Sequence, residues 1–164
     1  MGQIENLFFE NPTKEFHIRG IAKLLKIPKT TVSYKINQLI KENIVIKDSK
    51  GIFPSYRPSQ NEIYKFKKRQ HFLEKLFPLL NHLENELNPK CIILFGSFAK
   101  AEYDKDSDID IFIQAKEHKI KLTKFEKQLK HKINILFENN LNNLSKELLN
   151  NIINGVKLRG FIRL

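Results

Sequence analysis

The stretch Ile92-Ile93-Leu94-Phe95-Gly96-Ser97, followed after ten residues by Asp108-Ile109-Asp110-Ile111-Phe112-Ile113, decides how this chain is read. Both halves are apolar enough for buried strands, and the second alternates acid with Ile or Phe. Side chains alternate along a strand, so Asp108 and Asp110 project from one face while Ile109, Ile111 and Ile113 enter the core. Two carboxylates held side by side repel one another, and the arrangement is costly unless a cation sits between them. Oxygen-only ligands of this kind suit Mg²⁺ or Mn²⁺. Gly96 and Ser97 end the first strand and, by Phe98-Ala99-Lys100-Ala101, begin a short helix. A glycine there lets backbone approach a ligand closely, and free amides with the Ser97 hydroxyl can hold phosphate oxygens. Phosphate and metal meeting at one place is the layout of phosphoryl or nucleotidyl transfer.

Gly-Ser, ten residues, then Asp-x-Asp, bracketed by apolar strands, resembles the minimal nucleotidyltransferases of the polymerase-β superfamily over roughly residues 61–164. The resemblance implies that Asp108 and Asp110 are the catalytic metal ligands and that Gly96 and Ser97 grip the β- and γ-phosphates of an NTP. Lys100 falls where a basic residue often follows the turn, which implies a phosphate contact. An acceptor would attack the α-phosphate and release pyrophosphate. Two departures stand out. Such proteins commonly carry a third carboxylate on a later strand, and here Ile133-Asn134-Ile135-Leu136-Phe137-Glu138 puts Asn134 in that place. An amide cannot act as general base and adds no negative charge. Glu138 lies four residues on, about 13 Å along a strand. The second departure is Ala101, where glycine is frequent.

Other readings of these residues fail. Asp104, Asp106, Asp108 and Asp110 begin like a calcium loop, but Ile109 stands where the invariant glycine is needed and Ala115 where the closing glutamate belongs. No Gly-x-x-x-x-Gly-Lys-Ser/Thr run exists. His17, His71, His82, His118 and His131 lie at no ligand or triad spacing, which leaves packing or surface roles.

Outward from the motif, residues 119–131 read as a helix by Leu122, Phe125 and Leu129, Ile133–Phe137 as a strand and Leu141–Ile153 as a helix. The tail, Val156 to Arg159 and Ile162-Arg163-Leu164, alternates apolar with basic, as in an edge strand or an ordered arm. Upstream, Ser59 offers an N-cap to a long helix carrying Ile63, Phe66, Leu73, Leu76, Leu80, Leu83 and Leu87, bent or split at Pro78. Its seven-residue spacing leaves a homodimer open, although Lys67-Lys68-Arg69 and Pro78 favour a core helix.

Residues 1–60 read as three helices and a hairpin. Ile4, Leu7 and Phe8 mark the first helix, closed by Asn11-Pro12; Ile18, Ile21, Leu24 and Leu25 mark the second; Val32, Ile36, Leu39 and Ile40 mark the third, beyond Pro28. Ile44-Val45-Ile46 and the run with Ile52, Phe53 and Tyr56 read as strands around the turn Lys47–Gly51, with Pro54 and Pro58 confining the second to an edge. This order resembles the winged helix-turn-helix domain of bacterial and archaeal regulators. With the third helix's apolar residues inward, Lys29, Thr30, Thr31, Ser33, Tyr34, Lys35, Asn37, Gln38 and Lys41 remain to face a nucleic-acid groove. Lys47, Lys50 and Arg57 would meet phosphates beside it.

Composition agrees with a globular protein that meets polyanions. Of 164 residues, 41% are hydrophobic and 29% charged, and the net charge is +11. The excess is shared, with 10 basic against 5 acidic residues up to residue 60 and 19 against 13 beyond it. The longest apolar run, Cys91–Phe95, is far short of the ~20 residues of a membrane span, and the first residues carry no basic-then-apolar segment. A single cysteine, Cys91, reads as a buried apolar filler in a reducing compartment. The expectation is a cytoplasmic, membrane-free α/β (α+β) protein. Residues 1–60 form the winged helix-turn-helix domain, and residues 61–164 the nucleotidyltransferase domain with a small mixed sheet, reached through a connecting helix at 61–88. It would transfer NMP from an NTP to a hydroxyl of a nucleic-acid or protein acceptor. The alternative is a DNA-binding transcriptional regulator, or an antitoxin-like protein with a toxin partner, whose transferase domain is degenerate.

Overall fold

A computed structural model describes residues 2–162, and within it the chain divides into two compact units, one ending at Lys68 and the other starting at Arg69. In the first, helices α1 (Gln3–Glu10), α2 (Ile18–Leu25) and α3 (Lys29–Lys41) precede a two-stranded antiparallel hairpin, β1 (Val45–Asp48) and β2 (Ser55–Pro58). Its core joins Ile4, Phe8, Phe9, Phe16, Ile21, Val32, Ile36, Leu39, Val45 and Tyr56. In α2 the buried face is Ile21 and Ala22, with Ile18 and Leu25 beside it; Leu24, expected inward, is 61% exposed because an advance of about 100° per residue puts it outside that stripe. The hairpin register pairs Val45 with Pro58 and Asp48 with Ser55, so Ile52 and Phe53 belong to the connecting loop and not to the second strand.

The long helix α4 (Glu62–Leu87) contains the boundary between the units. Asn61 caps it, its Oδ1 accepting the Tyr64 amide at 2.8 Å, while the Ser59 hydroxyl donates to the Asn43 carbonyl and Gln60 adopts a left-handed conformation (φ 55°). The helix therefore starts two residues later than the Ser59 reading. On its first turns Tyr64, and not Ile63 or Phe66, faces inward: its ring lies 5.5 Å from Phe9 and its hydroxyl donates to the Phe8 carbonyl. Pro78 does not split the helix, because it sits on the exposed side, where the carbonyl it frees meets water.

The second unit is built on a four-stranded mixed sheet in the order β5-β4-β3-β6, with β3 (Cys91–Phe95) antiparallel to β4 (Ile109–Ile113) and to β6 (Val156–Gly160), and β4 parallel to β5 (Ile133–Phe137). Between them stand α5 (Gly96–Lys100), α6 (Thr123–Leu129), a 3₁₀ turn (Leu141–Asn143) and α7 (Lys146–Ile153). Strand alternation divides the core. Ile92, Leu94, Ile109, Ile111 and Ile113 face α4, α5 and α6 through Phe72, Leu76, Leu79, Leu83, Phe98 and Phe125. Cys91, Ile93 and Phe112 face the other way, onto Leu141 and Ile152. Helix 119–131 proves shorter at both ends, closing at Lys130 in the left-handed region, and 141–153 breaks at Ser145, whose hydroxyl accepts the Leu148 amide and caps α7. Arg163 and Leu164 of the tail lie outside the described residues. No helix among the described residues is long and apolar enough to cross a membrane.

One polar contact inside the first unit was not expected. Lys35 on α3 bonds Glu5 on α1 at 2.8 Å, and Glu5, buried, also accepts the Gly2 amide. Burial works to raise the Glu5 carboxyl, but the Lys35 hydrogen bond, the backbone amides and the Lys35 charge together hold it below its ordinary value. A lowered folded-state value contributes stability that is complete above the unfolded value and disappears as pH falls through the folded one. The first unit should therefore lose stability as pH drops below about 4.5, and Glu5→Gln should flatten that acid limb in chemical denaturation. Lys35→Ala, which strands the carboxylate, should cost about 2 kcal/mol at neutral pH.

Candidate active site

The site is assembled by strand register. β3 pairs with β4 so that Phe95, its last residue, lies opposite Asp110, and β4 pairs with β5 so that Asp110 lies beside Asn134. Asp110 and Asn134 alternate with Phe112 and Leu136 and so share the face covered by α7 and the 3₁₀ turn. Beyond Phe112 and Leu136 that cover stops. Asp110 is half-buried, and Asp108 and Asn134 are exposed.

The chain turns at once after Phe95. Gly96 takes φ +70°, a conformation L side chains rarely adopt, and opens α5. A Cβ on Gly96 would lie 2.5 Å from Asp110 Oδ2, so the absence of a side chain is what lets that carboxylate stand against the turn. Ser97 follows, half-buried, on the first turn of α5, and Lys100 is exposed on its last. Ala101 closes α5 in the left-handed region (φ 58°) and is buried, which gives the physical reason why glycine suits this position.

Asp108 and Asp110 are brought together by a third side chain. The Asn134 amide nitrogen donates to Asp110 Oδ1 at 3.1 Å and reaches Asp108 Oδ2 at 3.5 Å. The expected common face of the two acids is thus realised, with an N–H donor between them. Among the described residues no lysine or arginine pairs with either acid, and no group of three or more His, Cys, Asp and Glu is placed to hold a metal. Two carboxylates and, after a half-turn of the amide, the Asn134 carbonyl make a hard-oxygen donor set of the kind Mg²⁺ takes. Such an ion would need water or substrate oxygens to complete its shell. Glu138 does not supply the missing acid. Its carboxylate accepts the Asn140 amide at 2.8 Å within its own loop, and that bond, followed by one from Asn143, holds it below the ordinary carboxylate value.

The approach to Asp108 is fixed by residues that the motif does not contain. Asp104 Oδ1 accepts the Asp106 amide and the Ser107 hydroxyl, so these two acids belong to a turn and not to an ion site. The Ser107 carbonyl lies 2.7 Å from His131 Nδ1, and the His131 ring packs edge-on to Phe98. The Ile109 amide donates to the Lys132 carbonyl. His131 is separated from the motif by more than twenty residues, and nothing in its local sequence signals this positioning role.

The model of the polymerase beta nucleotidyltransferase family matches residues 78–159, half of the chain. The chain belongs to that family. No match was found among curated proteins or among solved structures. The matched span begins inside α4 and ends inside β6, so it takes in β3, β4 and β5, most of β6 and the whole of the Gly96–Asp110–Asn134 constellation.

The close approach of Gly96 to Asp110 is open to a double-mutant cycle. Gly96→Ala should destabilise the second unit by about 1–2 kcal/mol from backbone strain alone, with a further increment from the collision. Combined with Asp110→Ala, which removes the colliding carboxylate, the increment should vanish and leave a coupling of about 1 kcal/mol, read from urea denaturation of the four proteins.

Proposed function

We infer that the protein is a divalent-metal-dependent nucleotidyltransferase that moves an NMP unit from an NTP to a hydroxyl on a nucleic acid or protein. The observation that carries this reading is the Asn134 amide reaching both Asp108 and Asp110 beside the Gly96 turn, in a chain of the nucleotidyltransferase family. Asp108 and Asp110, with the Asn134 carbonyl turned inward, would hold Mg²⁺ or Mn²⁺. When bound, such an ion would supply charge neutralisation of the triphosphate and Lewis-acid polarisation of the α-phosphate.

The remaining work falls to the chain itself. The α5 amides and the Ser97 hydroxyl bind the β- and γ-phosphates, and the bare backbone of Gly96 lets them come close. Lys100, exposed at the end of α5, adds positive charge on the same short helix. A bond forms between the acceptor oxygen and the α-phosphorus, the bond to the β-phosphate bridging oxygen breaks, and pyrophosphate leaves. Asn134 cannot take the acceptor's proton, so the proton passes to an aspartate or to water.

The first unit supports a winged helix-turn-helix reading through its order of three helices and a hairpin and its short link between α2 and α3. Lys29, Thr30, Thr31, Tyr34 and Lys41 are exposed on α3, and Ser33 is half-buried. Lys35 is committed to Glu5, so we assign groove contacts to the others. The second reading, a DNA-binding regulator with a degenerate transferase domain, draws on the same Asn134: an amide that satisfies both acids serves as well in a site that never turns over.

The two readings separate in one experiment. Purified protein with each labelled NTP, Mg²⁺ and total cellular RNA or lysate should release pyrophosphate and label an acceptor. Asp108→Asn or Asp110→Asn should lower this at least about a hundredfold, and Asn134→Asp should tighten Mn²⁺ binding measured by calorimetry. Wild-type protein that binds no NTP in the presence of Mg²⁺ would leave the regulator.

A further inference from the structure

Seven of the seventeen residues from Lys116 to Lys132 are lysines, against two glutamates, which places a net +5 of the chain's +11 in about a tenth of its length. All seven are exposed. Lys116, Lys119 and Lys121 lie in the loop before α6, Lys124 and Lys127 on that helix, and Lys130 and Lys132 between it and β5. Phe125 is buried and Leu122 and Leu129 are half-buried against the core, so the apolar side of the segment is used up in folding. Glu126 is used as well, because its carboxylate accepts the Ile133 amide. Among the described residues none of the seven ammonium groups pairs with a carboxylate. Like charges so densely set repel one another, and the repulsion is relieved by a polyanion that spans them.

We propose that this lysine face, running from Lys116 to Lys132, binds the phosphate backbone of a double-stranded nucleic acid. Two features select a duplex. Apart from the His118 imidazole the segment exposes no aromatic ring, so it lacks the run of rings on which successive bases of a single strand are stacked. It presents lysines and not arginines, which suits phosphate contacts without base readout. Only its last residue adjoins the acids: the Lys132 carbonyl holds the Ile109 amide next to Asp108, whereas Lys124 and Lys127 ride on α6 behind the opposite face of the sheet. The identification of this duplex as the acceptor rests on the nucleotidyltransferase reading; the binding does not.

The test uses the full chain. In Lys119→Gln/Lys121→Gln/Lys124→Gln/Lys127→Gln, affinity for a random-sequence duplex should fall at least about tenfold at 0.1 M salt, and the slope of log affinity against log salt should become shallower by about 3 to 4. A charge-matched control with glutamine at Lys65, Lys67, Lys90 and Lys146 should retain the wild-type slope within about one. Equal losses in the two variants, or a larger loss for a single strand of the same length or for polyglutamate than for the duplex, would overturn the proposal. NTP binding with Mg²⁺, measured in parallel, should be unchanged in the lysine variant. Its absence in wild type would sink the transferase reading and leave the duplex measurement standing.

Discussion

Everything at the candidate site depends on one close approach, that of the Asp110 carboxylate to the bare backbone of Gly96. It results from the β3–β4 register, which sets Phe95 opposite Asp110 and makes the chain turn immediately beyond. That register is fixed by burial, because Ile109, Ile111 and Ile113 fill the same layer as Ile92 and Leu94. A slip of one residue would carry Asp108 and Asp110 into that layer and expose the isoleucines. Burying two carboxylates there would cost far more than a sheet of this size recovers. The hydrophobic pattern that folds the sheet and the exposure that makes the acids usable are therefore a single constraint.

The uneven cover of the sheet does the rest. Among the described residues three helices close one face, whereas the other has α7 and a 3₁₀ turn over Cys91, Ile93 and Phe112. The same face that is apolar at the buried Phe112 becomes polar at the half-buried Asp110 and the exposed Asn134. Asn134 meets both acids with an N–H donor and adds no charge, so two negative charges remain on the face.

Much of this was legible in the sequence. The strands of the second unit and the common face of Asp108 and Asp110 followed from period-two alternation, which is unambiguous when the core positions are Ile and Phe. The turn at Gly96 followed from the glycine at the strand's end, and Asn134 was singled out through the resemblance to the nucleotidyltransferases. Helix phase was less legible. Tyr64 displaces Phe66 from the core because its hydroxyl finds the Phe8 carbonyl, and Leu24 yields to Ala22; neither substitution of one apolar residue for another is visible to a pattern that scores hydrophobicity alone. Lys35 looked like a groove residue because its partner, Glu5, lies thirty residues away on another helix. Contacts such as that pair, or His131 with Ser107, exist only once the chain has folded, and no local signal precedes them.

The distribution of charge follows from the same economy. Had a lysine stood at position 134, its ammonium would have neutralised the two acids internally and left neither group for a ligand. An amide satisfies their geometry without cancelling their charge, while the cations of the second unit's α6 region remain unpaired on the surface. Acids that need a cation and lysines that need a polyanion thus coexist within one unit without neutralising each other. On the proposed reading, a metal–nucleotide complex and a phosphate backbone would be the pair of ligands that relieves both imbalances.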